Sequence, residues 1–153
     1  NSLGLMPRGT RTYVEEELKK WEDFGVEGHF LGARPWVTVD ETVKASSAAI
    51  VGASEEEVVI MNSLTVNLHL MMVPFYRPTP ERFRIVVEAK AFPSDAYAVQ
   101  SQAKLHGFDP KDAIREVAPR EGEELIRTED LVAAMDDSVA LVLVGGVHYY
   151  TGQ

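Results

Sequence analysis

The spacing of apolar residues changes character along this chain, and the change outlines its elements. Over residues 10–23, Val14, Leu18 and Trp21 recur at i, i+4 and i+7 with acids on the opposite face, which predicts an amphipathic helix. A Gly-rich connection over residues 25–35 carries His29 and Arg34. A second helix is expected over residues 40–51, ended by Gly52. Ser54 and Glu57 have capping-box spacing, but the run Val58-Val59-Ile60 favours a turn feeding a strand.

From there the pattern alternates. Strands are expected at residues 58–61, 84–88, 115–117 and 139–144. Helices are expected at residues 65–73, 94–106 (closed by Gly107) and 128–135. Strands that are apolar on both faces and alternate with amphipathic helices imply a mainly parallel sheet covered on two sides, a three-layer α/β sandwich. In such sheets ligands sit beyond the carboxyl ends of the strands.

Two segments fall at that edge. Asn62-Ser63-Leu64-Thr65 follows the first apolar run, and Phe92-Pro93-Ser94-Asp95 follows Ile85-Val86-Val87. Each sets hydroxyl or carboxylate side chains at a helix start, where free N–H groups and the helix dipole favour an anion. The second adds an aromatic ring. Together they suggest a planar, phosphorylated cofactor. Thr65 and Asp95 are equally readable as ordinary N-caps, and Phe92 as a core residue.

Bulk properties narrow the picture only a little. The 153 residues, 45% hydrophobic, suffice for a buried core. A net charge of −9 argues against nucleic-acid binding. No apolar run approaches the roughly 18–20 residues that cross a membrane. Without cysteine there are no disulfides or thiolate metal sites, which is compatible with the cytosol. His29, His69, His106 and His148 stand apart from one another, so no metal site is expected.

The wording of the chain adds a family. Asn1-Ser2-Leu3-Gly4-Leu5, Gly28-His29, Arg34-Pro35-Trp36, Met61-Asn62-Ser63-Leu64-Thr65-Val66-Asn67-Leu68-His69-Leu70, Glu88-Ala89-Lys90-Ala91-Phe92-Pro93-Ser94-Asp95 and Tyr149-Tyr150-Thr151-Gly152-Gln153 occur in that order. Together they resemble the kynureninase family, pyridoxal-phosphate enzymes of the aspartate-aminotransferase fold (fold type I), from the first residue to the last. The resemblance implies hydrolysis of the Cβ–Cγ bond of L-kynurenine or 3-hydroxy-L-kynurenine, giving (3-hydroxy)anthranilate and L-alanine in tryptophan catabolism and NAD biosynthesis. It also implies a cytoplasmic homodimer with a small-molecule substrate and pyridoxal 5'-phosphate as cofactor.

On the same resemblance, residues 1–52 form an N-terminal helical segment with a substrate-pocket loop. Residues 53–153 form the first part of the large cofactor-binding domain. Leu64 and Thr65 match the pair on the cofactor phosphate, Phe92 matches the ring stacked on the pyridine, and Pro93, Ser94, Asp95 and Gly145 match the rest of that site. Ser2 and His29 match substrate-pocket positions, His29 one that favours the 3-hydroxy substrate. Tyr149 and Tyr150 are expected at the same mouth. Arg34 either pairs an acid or carboxylate or serves the loop's structure. None of the six lysines matches the Schiff-base lysine, so the chain is expected to open inside the Asn-Ser-Leu-Gly motif and stop short of that residue. Competing readings are another fold type I enzyme, such as a cysteine desulfurase or selenocysteine lyase, and a non-catalytic paralogue acting as a binding module.

Overall fold

A computed structural model describes residues 4–153, which fall into two compact units divided between Met61 and Asn62. The first unit is helical. Helix α1 spans Thr10–Phe24, and short 3₁₀ turns follow at Gly25–His29 and Trp36–Thr38. Helix α2 spans Glu41–Val51 and stops at Gly52, whose φ of 73° is a left-handed conformation open to glycine at little cost. The apolar stripe of α1 is amphipathic as read, yet Val14, Leu18 and Trp21 are all exposed. They line an open groove together with Tyr13 and Trp36.

The link out of this unit differs from the sequence reading in two ways. Ser54 and Glu57 do form a capping box, around the 3₁₀ turn Glu55–Glu57. Residues 58–61 are not a strand. High β-propensity gives Val58 extended dihedrals, but no ladder forms there among the described residues, and a strand exists only through its partners.

The second unit is α/β. Helix α3 (Leu64–Phe75) precedes β1 (Arg84–Glu88). Helices α4 (Pro93–Leu105) and α5 (Pro110–Ala113) lead to β2 (Ile114–Val117), and α6 (Thr128–Ala133) leads to β3 (Val139–Leu143). The strands are parallel in the order β2-β1-β3, with Ile85 opposite Ile114 on one side and Leu141 on the other. Helix α5 has no counterpart in the sequence reading. It is one turn long, capped by Asp109, whose carboxylate accepts the Lys111 N–H at 2.9 Å.

Alternation along β1 builds two cores from one strand. Ile85 and Val87 pack with Met72, Tyr76 and Val99 from the α3–α4 side. Val86 points the other way and packs with Val117 and Val139 against Leu131 and Ala134 of the α6 region. Helices therefore cover both faces of the sheet, and this unit is a three-layer sandwich. Tyr76 is fully buried, and its hydroxyl donates to the Phe83 carbonyl at 2.8 Å, so no polar group is stranded there. Gln102 Nε2 lies 2.8 Å from His69 Nδ1 and ties α4 to α3.

Candidate functional site

A cavity of about 350 Å³ opens beyond the carboxyl ends of the three strands. Leu64 from the start of α3, Phe92 and Asp95 from the start of α4, and Gly145 after β3 all line it. Residues far apart in sequence are thus brought to one concavity at the sheet edge where open α/β folds bind ligands. Thr65, Pro93 and Ser94 are not on its lining. Tyr149 is on it and Tyr150 is not.

The helix starts differ in detail from simple caps. Ser63, not Thr65, is the N-cap of α3, and its side chain makes no capping bond. Thr65 is the second helical residue. The N–H groups of Leu64, Thr65 and Val66 find no acceptor among the described residues, whereas that of Asn67 reaches the Ser63 carbonyl at 2.9 Å. Three free donors at the positive end of a 12-residue helix form an anion-binding feature. In α4 the N-cap is Phe92 and Pro93 is the first helical residue. Asp95 therefore sits inside the first turn, where its negative charge complements the dipole.

Phe92 is about half exposed, and its ring meets Tyr149 edge-on. Tyr149 in turn stacks on His148. His148 is not the isolated residue its sequence context suggests. Its Nδ1 accepts the N–H groups of Tyr150 at 3.3 Å and Thr151 at 3.2 Å, so it organises the loop after β3. The side chain of Gln153 then clasps Ile126, accepting its N–H at 2.9 Å.

The ionisable lining is mostly acidic: Glu88, Asp95 and Glu116 against Lys90. An anion at this wall would find its donors in the α3 amides and Lys90. Among the described residues Lys90 is the non-glycine residue with positive φ (58°), in the turn that leaves β1. That conformation is disfavoured for a side-chain-bearing residue by roughly 1–2 kcal/mol, and such strain gathers at functional sites. Sequence reasoning missed Glu88 as part of the wall. The signal was there, since Glu88 is a charged residue ending a buried strand at its carboxyl edge.

The first unit holds the other candidates. Ser2 lies outside the described residues. His29 ends the 3₁₀ turn and packs edge-on against Trp36, with centroids 5.4 Å apart. Gly28 is buried beneath the same ring. A Cβ on Gly28 would lie 2.8 Å from Trp36 ring carbons. Trp36 Nε1 donates to Glu17 at 2.7 Å, and Lys20 donates to the same carboxylate at 2.7 Å. The Lys20 bond first and the Trp36 bond second hold the Glu17 carboxyl below its ordinary range. Arg34 pairs with Glu16 and approaches Glu17, so its partner is an acid of α1. The motifs Gly28-His29 and Arg34-Pro35-Trp36 are therefore one packed assembly.

Comparison with known proteins decides what these two assemblies belong to. No family model matches the chain. Curated kynureninases match it over its whole length: 60% identical from Monosiga brevicollis, 52% from Homo sapiens and 55% from Myxococcus xanthus. The chain belongs to the kynureninase family. It spans about a third of the length of these kynureninases, 36%, 34% and 37% respectively. The small parallel sheet with helices on both faces accords with part of a fold type I domain, and the family membership disfavours the desulfurase and binding-module readings. No helix among the described residues is long and apolar enough to cross a membrane.

Proposed function

We propose that this chain works within a polypeptide of kynureninase length, as the part that receives the phosphate and one ring face of pyridoxal 5'-phosphate. The reaction is hydrolysis of the Cβ–Cγ bond of L-kynurenine or 3-hydroxy-L-kynurenine to (3-hydroxy)anthranilate and L-alanine, in tryptophan catabolism and NAD biosynthesis. The observation that carries this reading is the meeting of Leu64, Phe92, Asp95 and Gly145 at one cavity beyond the strand ends.

The residues present fit such a group. The free amides at the start of α3 suit a phosphate, with the Thr65 hydroxyl beside them. The open face of Phe92 suits a flat ring, and Tyr149 braces it from the edge. Pro93 and Ser94 fix the turn that brings Asp95 to the wall. When bound, the cofactor supplies an electron sink for carbanion chemistry at the substrate. The protein's part here is to hold and orient it.

No residue of this chain is proposed to do the covalent chemistry. The Schiff-base lysine belongs elsewhere in the longer polypeptide, and Lys90 is a wall residue of the strained turn. In the domain scheme, residues 1–52 form a helical segment bearing the substrate loop and residues 53–153 begin the cofactor-binding domain, whose compact α/β part starts at Asn62. Ser2 and His29 serve the substrate, and the working form is a cytoplasmic homodimer. The test is product formation by the purified full-length protein with cofactor. Release of 3-hydroxyanthranilate or anthranilate with stoichiometric alanine is expected. Alanine from L-cysteine, with its sulfur released as sulfide only on reduction by an added thiol, and no aromatic product from either kynurenine, would replace this reading with a desulfurase.

A further inference from the structure

The β1–β3 ladder runs through Val87 opposite Leu143, and beyond it the two chains part. The Gly145 N–H would then have no strand partner. It is taken instead by a side chain: Glu88 Oε2 accepts it at 2.9 Å, across 57 residues of sequence. Glu88 and Gly145 both line the cavity. The carboxylate thus extends the ladder by one bond where the backbone no longer can.

The surroundings of Gly145 are shaped to this contact. A Cβ there would lie 3.3 Å from the Val147 carbonyl oxygen and 3.4 Å from Glu88 Oε2. The chain folds back on itself directly after the latch, so a Cβ at this position would be tight against the Val147 carbonyl and in ordinary contact with the Glu88 carboxylate. A hydrogen bond to a charged acceptor is also roughly twice as strong as a neutral one. One such bond is enough to bias a short glycine-rich segment, whose backbone has the most freedom to lose.

We infer that Glu88 is a positioning residue: its carboxylate latches the Gly145–Gly146 segment to the end of β1 and so fixes one wall of the cavity. As far as the wall serves the cofactor, this rests on the function proposed above. Glu88 touches no reacting atom in this role. Its effect passes through the Gly145 backbone.

The test uses the full-length protein, wild type, Glu88→Ala and Glu88→Gln, with two readouts. The first is hydrogen exchange of the segment around Gly145 in cofactor-free protein. The second is the dissociation constant for pyridoxal phosphate, by absorbance titration. Glu88→Ala should speed exchange about tenfold and weaken cofactor binding about tenfold, the scale of one lost charge-assisted bond. Glu88→Gln keeps an acceptor oxygen and should stay within about threefold of wild type in both. Exchange unchanged in Glu88→Ala, or equally fast in both variants, overturns the latch. Faster exchange with unaltered cofactor affinity overturns its positioning role. Wild-type protein that takes up no cofactor, with exchange at Gly145 still dependent on Glu88, would end the cofactor reading and leave the latch standing.

Discussion

The ring of Phe92 meets that of Tyr149 edge-on, with centroids 5.3 Å apart and planes at 86°. This geometry suits the aromatic quadrupoles and leaves a face of Phe92 unused by the protein. Phe92 keeps 49% of its surface exposed, so it is not a core residue in this arrangement. Replacing it with Ala should therefore cost the cofactor-free protein less than the ~3–5 kcal/mol typical of a buried Phe. The larger loss should appear in the cofactor-loaded form. Thermal melts with and without pyridoxal phosphate separate the two, and equal losses in both forms would mark Phe92 as packing alone.

Thr65 offers a second handle on the same site. It sits one residue inside α3 and caps nothing, so Thr65→Ala should leave helix stability within about 0.5 kcal/mol. Cofactor retention should fall by about tenfold or more, the scale of one charge-assisted bond to phosphate. Occupancy after dialysis measures it. Unchanged occupancy would take the hydroxyl out of the phosphate site.

Gly28 is predicted to be intolerant of any side chain. Its Cβ would lie 2.8 Å from a Trp36 ring that Glu17 holds by the indole N–H, so the ring cannot simply swing away. Overpacking of this kind costs about 1–3 kcal/mol. Denaturant unfolding of Gly28→Ala, followed by tryptophan fluorescence, should show a loss in that range. A midpoint equal to wild type would mean that the Gly28–Trp36 packing is looser than described.

Glu17 gives the same assembly a pH dependence. Its folded carboxyl titrates below the ordinary value of 4.5, because Lys20 and then Trp36 bond the charged form. The depressed value means that the contribution is fully present above about pH 4.5 and is lost as pH falls through the folded value. Stability measured between neutral and acid pH should fall less steeply in Glu17→Gln than in wild type. Identical slopes would show that Glu17 does not couple protonation to folding.

His29 packs on Trp36 and is exposed on its other side, placing a polar ring where the family resemblance puts the substrate. A hydrogen bond to a ring hydroxyl discriminates against a substrate that lacks it. The full-length protein should prefer 3-hydroxykynurenine, and His29→Phe should move the kcat/KM ratio toward kynurenine. Both substrates assayed on both proteins give the answer, and a constant ratio would leave His29 with a packing role only.

Much of this was legible in the chain because local signals agreed with the fold. The strand Arg84–Glu88 was bounded correctly, since a continuous apolar run between charged residues has little choice in a two-sided sheet. Gly52 and Gly107 marked helix ends through their left-handed dihedrals. Residues 58–61 misled because β-propensity speaks only of fitness for a sheet, and pairing is decided elsewhere. Thr65 and Asp95 lie two and three residues past the caps, because Ser63 and Phe92 hold the capping positions without a side-chain bond. The site was visible as wording around Leu64, Phe92 and Gly145. The latch from Glu88 and the loop anchor at His148 were not, since both join residues that only the folded chain brings together or bends back.

Receipt of pyridoxal phosphate by the cavity beyond β1, β2 and β3 can be read by absorbance titration of the full-length protein with the cofactor, comparing wild type with the double variant Thr65→Ala, Phe92→Ala. Wild type should saturate at one cofactor per chain with a shifted absorption band, and the double variant should bind at least ~100-fold more weakly, through loss of both a phosphate bond and a stacked ring. Equal saturation of the two proteins would place the cofactor away from this cavity.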